Sequence, residues 1–462
     1  MTQQKSGFIL AGFETLANII DNFILDTKNR FDDNFERDDI NKFFGDTCSG
    51  FLHSFGQAFS NKKSYKNYNS SEASLLKRCL NTGFFKDSPI VIDSGGFQAS
   101  IGKLHYHETE LLIEHYHRFL IDHSDVYQKA FVLDLPPGPD CKLFNSFQDV
   151  YDMNLKTYKI AANLPTEVKN KMIYIHHFRT PKLWRIFKKI MVDNDLFKEF
   201  NYHATGGIVA NAAGDIMIPC IIYILPLIPL LNECKRLGRD TLNFHILGGS
   251  TFRDILFYEL FKIHILNKHG ITVNFTYDSS GLFKGLMIAR FIHADNGHKL
   301  VKMDIREANL ENRFLGGERV IDKYNSILES LADDHNFKRI KIDKVYNPET
   351  KTFFEEIKIY TMLYMLNQFS YIQDKLKTSS AELYDLYLAG EEEEFIRGVS
   401  LTTQYLNNGK LTKKQKAKSN SVFNSLNMLT ELDENHCMHI VDKLLYKDEF
   451  IKLDHNNSSM TI

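Results

Sequence analysis

Pro89-Ile90-Val91-Ile92-Asp93-Ser94-Gly95-Gly96-Phe97-Gln98 is the stretch from which the rest of the chain reads most clearly. Its first half is short, apolar and β-branched, the pattern of a strand buried on both faces. It stops at an acid, then a serine, two glycines and an aromatic. The acid can accept or deliver a proton. The glycines let backbone N–H groups come close to a ligand, because no Cβ stands in the way. The ring of Phe97 offers a stacking face. A strand end equipped in this way suits a flat polar ring.

Five further runs have the same character, at residues 130–133, 172–175, 202–204, 244–247 and 273–277. Amphipathic segments lie between them at 108–123, 181–192 and 251–268, the last closed by His269-Gly270 as a helix C-cap signal. Strand–helix alternation over most of the first 300 residues predicts an α/β fold with a parallel sheet. The residues just past the strand ends choose between an open and a closed sheet. In order they are Asp93, Asp134 before Pro136-Pro137, His176-His177, Gly206-Gly207, Gly248-Gly249-Ser250 and Asp278. An open doubly wound sheet gathers such groups at one switch point, whereas a barrel collects them around a rim. Six contributing strands therefore predict a (β/α)8 TIM barrel, with the first 85 residues supplying its first strand and helix.

Beyond about residue 310 the pattern turns to helices with polar breaks, at 318–331, 354–376, 382–388 and 422–432. Two domains are expected: a barrel over 1–310 and a helical C-terminal region over 311–462, partly packed on the barrel. Residues 216–231 are nearly all apolar, but the run is too short to span a bilayer and Pro219, Pro226 and Pro229 interrupt it. It reads as a buried helix and turn, and no membrane association is expected. The net charge of −2 removes any global electrostatic case for nucleic acid, so such a surface must be local. The basic loop carrying Lys410, Lys413, Lys414, Lys416 and Lys418 is the candidate, with Arg290 as a more distant one. The six cysteines are spaced too widely for a zinc knuckle or a dithiol site. With no signal peptide recognisable, free thiols and a cytoplasmic location are expected. His105, His107, His115 and His117 fall in i,i+2 pairs that share no helix face, so neither a metal nor another cofactor is expected.

Two carboxylates on one rim, Asp93 and Asp278, suit chemistry at the anomeric carbon of a sugar. One ionised acid can attack C1′ to form a glycosyl ester while the other moves a proton to or from a base. Asp134 could accept hydrogen bonds from ring N–H groups of a purine. The paired glycines would let backbone approach the ring or its ribose phosphate. A base within a polymer must first be flipped out.

The Asp93–Gln98 hexapeptide, followed by Ser100 and Gly102-Lys103-Leu104, resembles the base-binding motif of tRNA-guanine transglycosylases. Collinear similarities follow. Residues 130–134 resemble a strand ending in the base-recognising aspartate, Gly206-Gly207 the glycine pair against the base, and Tyr277-Asp278 the aromatic and nucleophile. The resemblance covers roughly residues 85–300 and a later helix near 360–376. It implies Asp278 as nucleophile, Asp93 as general acid/base, and a base pocket of Ser94, Phe97, Asp134, His177, Gly206 and Gly207.

The family's tRNA enzymes carry a Cys-rich zinc subdomain after the nucleophile. Here no cysteine lies between Cys234 and Cys437 and no histidine between His335 and His436. His176 or His177 stands where the family has glutamine. The chain is thus most similar to the zinc-less DNA 7-deazaguanine transglycosylases. That implies exchange of guanine in DNA for a free 7-deazaguanine base such as 7-cyano-7-deazaguanine, and leaves room for a partner protein that opens the duplex. The alternatives are a divergent enzyme acting on tRNA, a non-catalytic nucleic-acid-binding barrel subunit, and a metal-dependent barrel hydrolase using the histidines.

Overall fold

All six apolar runs become parallel strands, joined by two more from the N-terminal region, and the eight close on themselves. The computed structural model describes residues 7–11, 49–55, 89–96, 106–138, 143–177, 180–207, 225–249, 252–279, 291–295, 300–304, 314–315, 318–319, 346–347, 352–353 and 426–444. The strands are β1 Phe8–Ala11, β2 Gly50–Ser54, β3 Ile90–Asp93, β4 Lys129–Phe131, β5 Met172–His177, β6 Tyr202–Gly206, β7 Thr241–Ile246 and β8 Thr272–Ser279. Each pairs in parallel with its neighbours in sequence, and β8 returns to β1 through Ile9 opposite Asp278. The first 85 residues therefore supply two barrel strands rather than one.

Five helices separate the later strands: α1 Tyr106–Asp122, α2 Phe147–Ala162, α3 Pro181–Asp193, α4 Leu227–Arg236 and α5 Phe252–His269. Local sequence sets their ends. Ser146 accepts from the N–H of Asp149 while the Asp149 carboxylate accepts from the N–H of Ser146, a capping box that starts α2. Thr180 caps α3, with Pro181 at the first helical position. Helix α5 stops at Gly270, whose φ of +68° suits a residue without a Cβ. Helix α4 takes up the end of the proline-interrupted apolar run, burying Leu227, Ile228, Leu230 and Leu231.

The strands bury two faces. Ile9, Ala11, Leu52, Val91, Phe131, Ile173, Ile175 and Ala204 form one cluster that fills the lumen. Residues of the opposite parity face the helices; Tyr174, for example, stacks on Tyr158 of α2 and donates its hydroxyl to the Phe187 carbonyl of α3. Strands β7 and β8 break the apolar lining. In β7 Leu242, Phe244 and Ile246 face outward and alternate with Asn243 and His245. In β8 Val273, Phe275 and Tyr277 alternate with Asn274, Thr276 and Asp278. One wall of the lumen is thus polar, and it rises to the rim at Asp278.

Three expectations change. Strand β4 ends at Phe131, not at Asp134, because Pro136 and Pro137 offer no ladder N–H and Asn154 of α2 captures both the N–H and the C=O of Leu135. Glu318–Arg319 begins no helix but pairs antiparallel with Phe314–Leu315, and Gly316-Gly317 between them is a hairpin-turn sequence. Phe353 likewise lies in a two-residue strand, Thr352–Phe353, paired with Tyr346–Asn347. The predicted helices at 354–376 and 382–388 lie outside the described residues. From the predicted 422–432 segment, residues 426–431 are helical and are followed by α6, Glu434–Leu444. This segment docks on the outer helices. Asn232 of α4 donates to the Leu432 carbonyl and to Glu434, Glu434 pairs with Lys188 of α3, and His264 of α5 meets Thr430 at 2.9 Å. Among the described residues no helix is long and apolar enough to cross a membrane.

Candidate active site

The register carries polar groups to the C-terminal rim on the lumen side. Asp93 lies two residues beyond Val91 and opposite Ser54 of β2, whose hydroxyl donates to Asp93 Oδ2 at 2.7 Å. Burial pushes the Asp93 carboxyl up from 3.8 to about 6; the Ser54 bond opposes this, the charges of Asp134 and Asp278 add to it, and the Gly95 N–H opposes it again. An acid with that value is partly protonated near neutral pH, the condition a group needs to deliver and retrieve a proton.

Asp278 sits on β8 and is 7% exposed. Its Oδ1 accepts the backbone N–H of Gly248 at 2.9 Å and faces Nε2 of His245 at 3.1 Å. Gly248 turns away from β7 with φ of +77°, a conformation that disfavours any side chain, and that turn aims its N–H at Asp278. This amide is committed to a carboxylate, whereas the sequence suggested an approach to the ring or its ribose phosphate.

The third acid, Asp134, is 5% exposed and lies in the loop after β4. Ser94 Oγ donates to its Oδ1 at 3.0 Å, and His177 Nε2 makes a short contact with its Oδ2. A carboxylate has about four acceptor positions, so two remain for a ligand's N–H groups. The chain passes so close that a Cβ on Gly96 would lie 2.1 Å from the Asp134 carbonyl oxygen. A Cβ on Gly206 would lie 2.9 Å from Cε1 of His177. Both glycines are required by contact with the acid and its partner. Gly207, with φ of +80°, turns the chain out of β6 beside them.

The structure also separates the two adjacent histidines. His177 shares the lumen face with Ile175 and Ile173 and reaches Asp134. His176 points outward, 4.6 Å from the Tyr174 ring, with its Nε2 3.4 Å from His203 Nδ1. Burial first, then the His203 and His177 rings, hold it well below the usual histidine range, so it is a neutral wall residue.

Of the residues expected at the site, Asp93, Ser94, Asp134, His177, Gly206, Gly207 and Asp278 are described and share the rim. Phe97, Arg290 and the lysines at 410, 413, 414, 416 and 418 lie outside the described residues. Sequence reasoning missed Ser54, His245 and Thr276. All three occupy lumen positions, and the alternation of Asn243 and His245 with apolar neighbours in β7, or of Asn274 and Thr276 in β8, was a signal that could have found the last two. Ser54 ends a short run, Gly50-Phe51-Leu52-His53-Ser54, built like the other strand ends. Among the described residues no three His, Cys, Asp or Glu side chains are placed to share a metal ion.

The chain matches no known protein-family model, and no curated protein emerges as a relative.

Proposed function

We propose that this protein is a nucleic-acid guanine transglycosylase, a pentosyltransferase that exchanges guanine in DNA for a 7-deazaguanine base through an aspartyl-glycosyl ester. The observation that carries the reading is the convergence of Asp93, Asp134 and Asp278 on one rim, with Asp93 raised to about 6 partly by the other two. Carboxylates held together in different protonation states divide naturally into an acid and a nucleophile.

In this reading a lone pair on the Asp278 carboxylate forms the bond to C1′ as the C1′–N9 bond breaks, and the electron pair leaves with guanine. Protonated Asp93 supplies a proton to the departing base. The incoming 7-deazaguanine gives its N9 proton to the Asp93 carboxylate, N9 attacks C1′, and the ester C1′–O bond breaks. Asp134, oriented by Ser94 and His177, would accept the N–H groups along the base edge, with the Gly206-Gly207 backbone beside it. Phe97 would stack on the ring.

The resemblance of the Asp93–Gln98 motif supports guanine as the base. The absence of a Cys-rich cluster from the sequence after Asp278 supports DNA over tRNA. Incubation of the protein with radiolabelled guanine or 7-deazaguanine and either polymer tests both points. Label is expected in DNA, together with an oligonucleotide adduct that maps to Asp278 by mass spectrometry. Label in tRNA alone would overturn the choice of polymer. Exchange that survives both Asp278→Asn and Asp93→Ala would overturn the mechanism.

A further inference from the structure

We infer that His245 is a positioning residue: with the Gly248 amide it pins Oδ1 of Asp278 and leaves Oδ2 as the oxygen that attacks the sugar. This rests on the glycosyl-transfer reading of the rim and adds to it the identity of the reacting atom and of the group that orients it.

The geometry comes from three contacts. Asp278 Oδ1 takes the Gly248 N–H at 2.9 Å and Nε2 of His245 at 3.1 Å. Among the described residues Oδ2 receives no hydrogen bond. An ionised carboxylate only accepts, so Nε2 carries the hydrogen in that contact. The other ring nitrogen, Nδ1, lies 2.9 Å from Thr276 Oγ1. In the neutral imidazole Nδ1 is the acceptor and the Thr276 hydroxyl donates to it, which fixes the tautomer that presents Nε2–H to Asp278. The ring is 2% exposed and rests edge-on against Phe131 across the lumen, with centroids 5.0 Å apart. It has no freedom to swing to a ligand. It touches the nucleophile and not the substrate.

The order of groups is hydroxyl, imidazole, carboxylate, as in a hydrolytic triad, but the direction is reversed. Asp278 stands at the rim and Thr276 lies two residues deeper on β8, so the carboxylate meets the ligand and the hydroxyl serves as the tether. As Oδ2 bonds to C1′ and the base leaves with its electron pair, Oδ1 becomes the carbonyl oxygen of the ester. Its two donors then face a weaker acceptor. On ester cleavage the charge returns to Oδ1 and Oδ2, and the same donors favour its return. His245 therefore holds the carboxylate in one rotamer through both half-reactions without exchanging a proton.

His245→Phe keeps the ring against Phe131 and removes the donor. His245→Gln keeps a donor. Thr276→Val keeps the shape of the tether and removes its hydroxyl. Exchange kinetics are read alongside a carbon-13 carboxyl titration of Asp278, assigned with Asp278→Asn. A hydrogen bond to a charged group predicts that His245→Phe slows the covalent step about 10- to 100-fold at unchanged KM for the base. The Asp278 titration should move up by about one pH unit, because a donor to its charged form is lost. Thr276→Val should show a smaller shift in the same sense, and His245→Gln should recover most of the rate. An Asp278 titration that stays in place in both His245→Phe and Thr276→Val overturns the inference, as does a His245→Gln enzyme no better than His245→Phe. If the titration moves but the unaltered protein exchanges no base in DNA or tRNA, the pinned carboxylate stands and the glycosyl-transfer reading falls.

Discussion

Asp93→Asn should stabilise the protein while abolishing its chemistry, and the size of the gain should depend on pH in a defined way. Folding raises the Asp93 carboxyl from 3.8 to about 6, so between those values the folded chain binds a proton that the unfolded chain releases. Stability from this group is therefore greatest in acid and falls as pH rises, with the full cost reached above about pH 6. Integrating the linkage gives a cost of about 3 kcal/mol at pH 7.5 and about 1 kcal/mol at pH 4.5. These are upper limits, since Asp93 is half-buried and water screens part of the effect. Asparagine cannot ionise, and its carbonyl still accepts from Ser54. Urea unfolding followed by circular dichroism should show the variant ahead of the unaltered protein by up to about 3 kcal/mol at pH 7.5, narrowing towards pH 4.5. Exchange activity should fall by about 10²–10⁴-fold in the same variant. A variant that is no more stable at pH 7.5, or whose advantage widens in acid, would refute the assignment of a raised carboxyl and the role built on it.

Three more outcomes follow from the same geometry. In single-turnover formation of the sugar ester, the rate should decline about tenfold per pH unit once pH passes about 6, because only protonated Asp93 can supply the leaving base; a flat profile to pH 8 would count against it. Gly206→Ala places a Cβ 2.9 Å from His177 Cε1, so the ring must move off Asp134; a rise in KM for the base of at least about tenfold is expected with the fold intact by circular dichroism. His203, which burial drives down to about 3, must charge when the chain unfolds in acid, so stability from it is complete above about pH 6.5 and is lost as pH falls. His203→Phe, against the stacked Phe197, should remove about 2 kcal/mol of the stability lost between pH 7 and pH 5, read by urea unfolding at both values.

Much of the barrel was legible because a parallel strand covered on both faces must be a short apolar run, and six of the eight are. The other two, Phe8–Ala11 and Gly50–Ser54, are as short and sit far from recognisable helices, so nothing local marked them. Asp93, Asp134 and Asp278 were legible because each follows such a run, at the position where a barrel displays side chains. Strand β4 was overextended because hydropathy continues through Val132 and Leu133. The chain leaves the ladder there for a reason that lies in α2, where Asn154 offers the Leu135 backbone a better partner than a neighbouring strand.

The sequence by itself determined the strand–helix alternation, the acids and glycines at the strand ends, and therefore the rim on which they gather, since period and turn chemistry are properties of neighbouring residues. Only the tertiary structure decided which histidine enters the lumen, that Ser54 and His245 hold the two acids, and that Asp93 titrates near neutrality. Those properties depend on groups 33 to 39 residues apart brought within hydrogen-bond reach, and on the water that closing the barrel removes from around them.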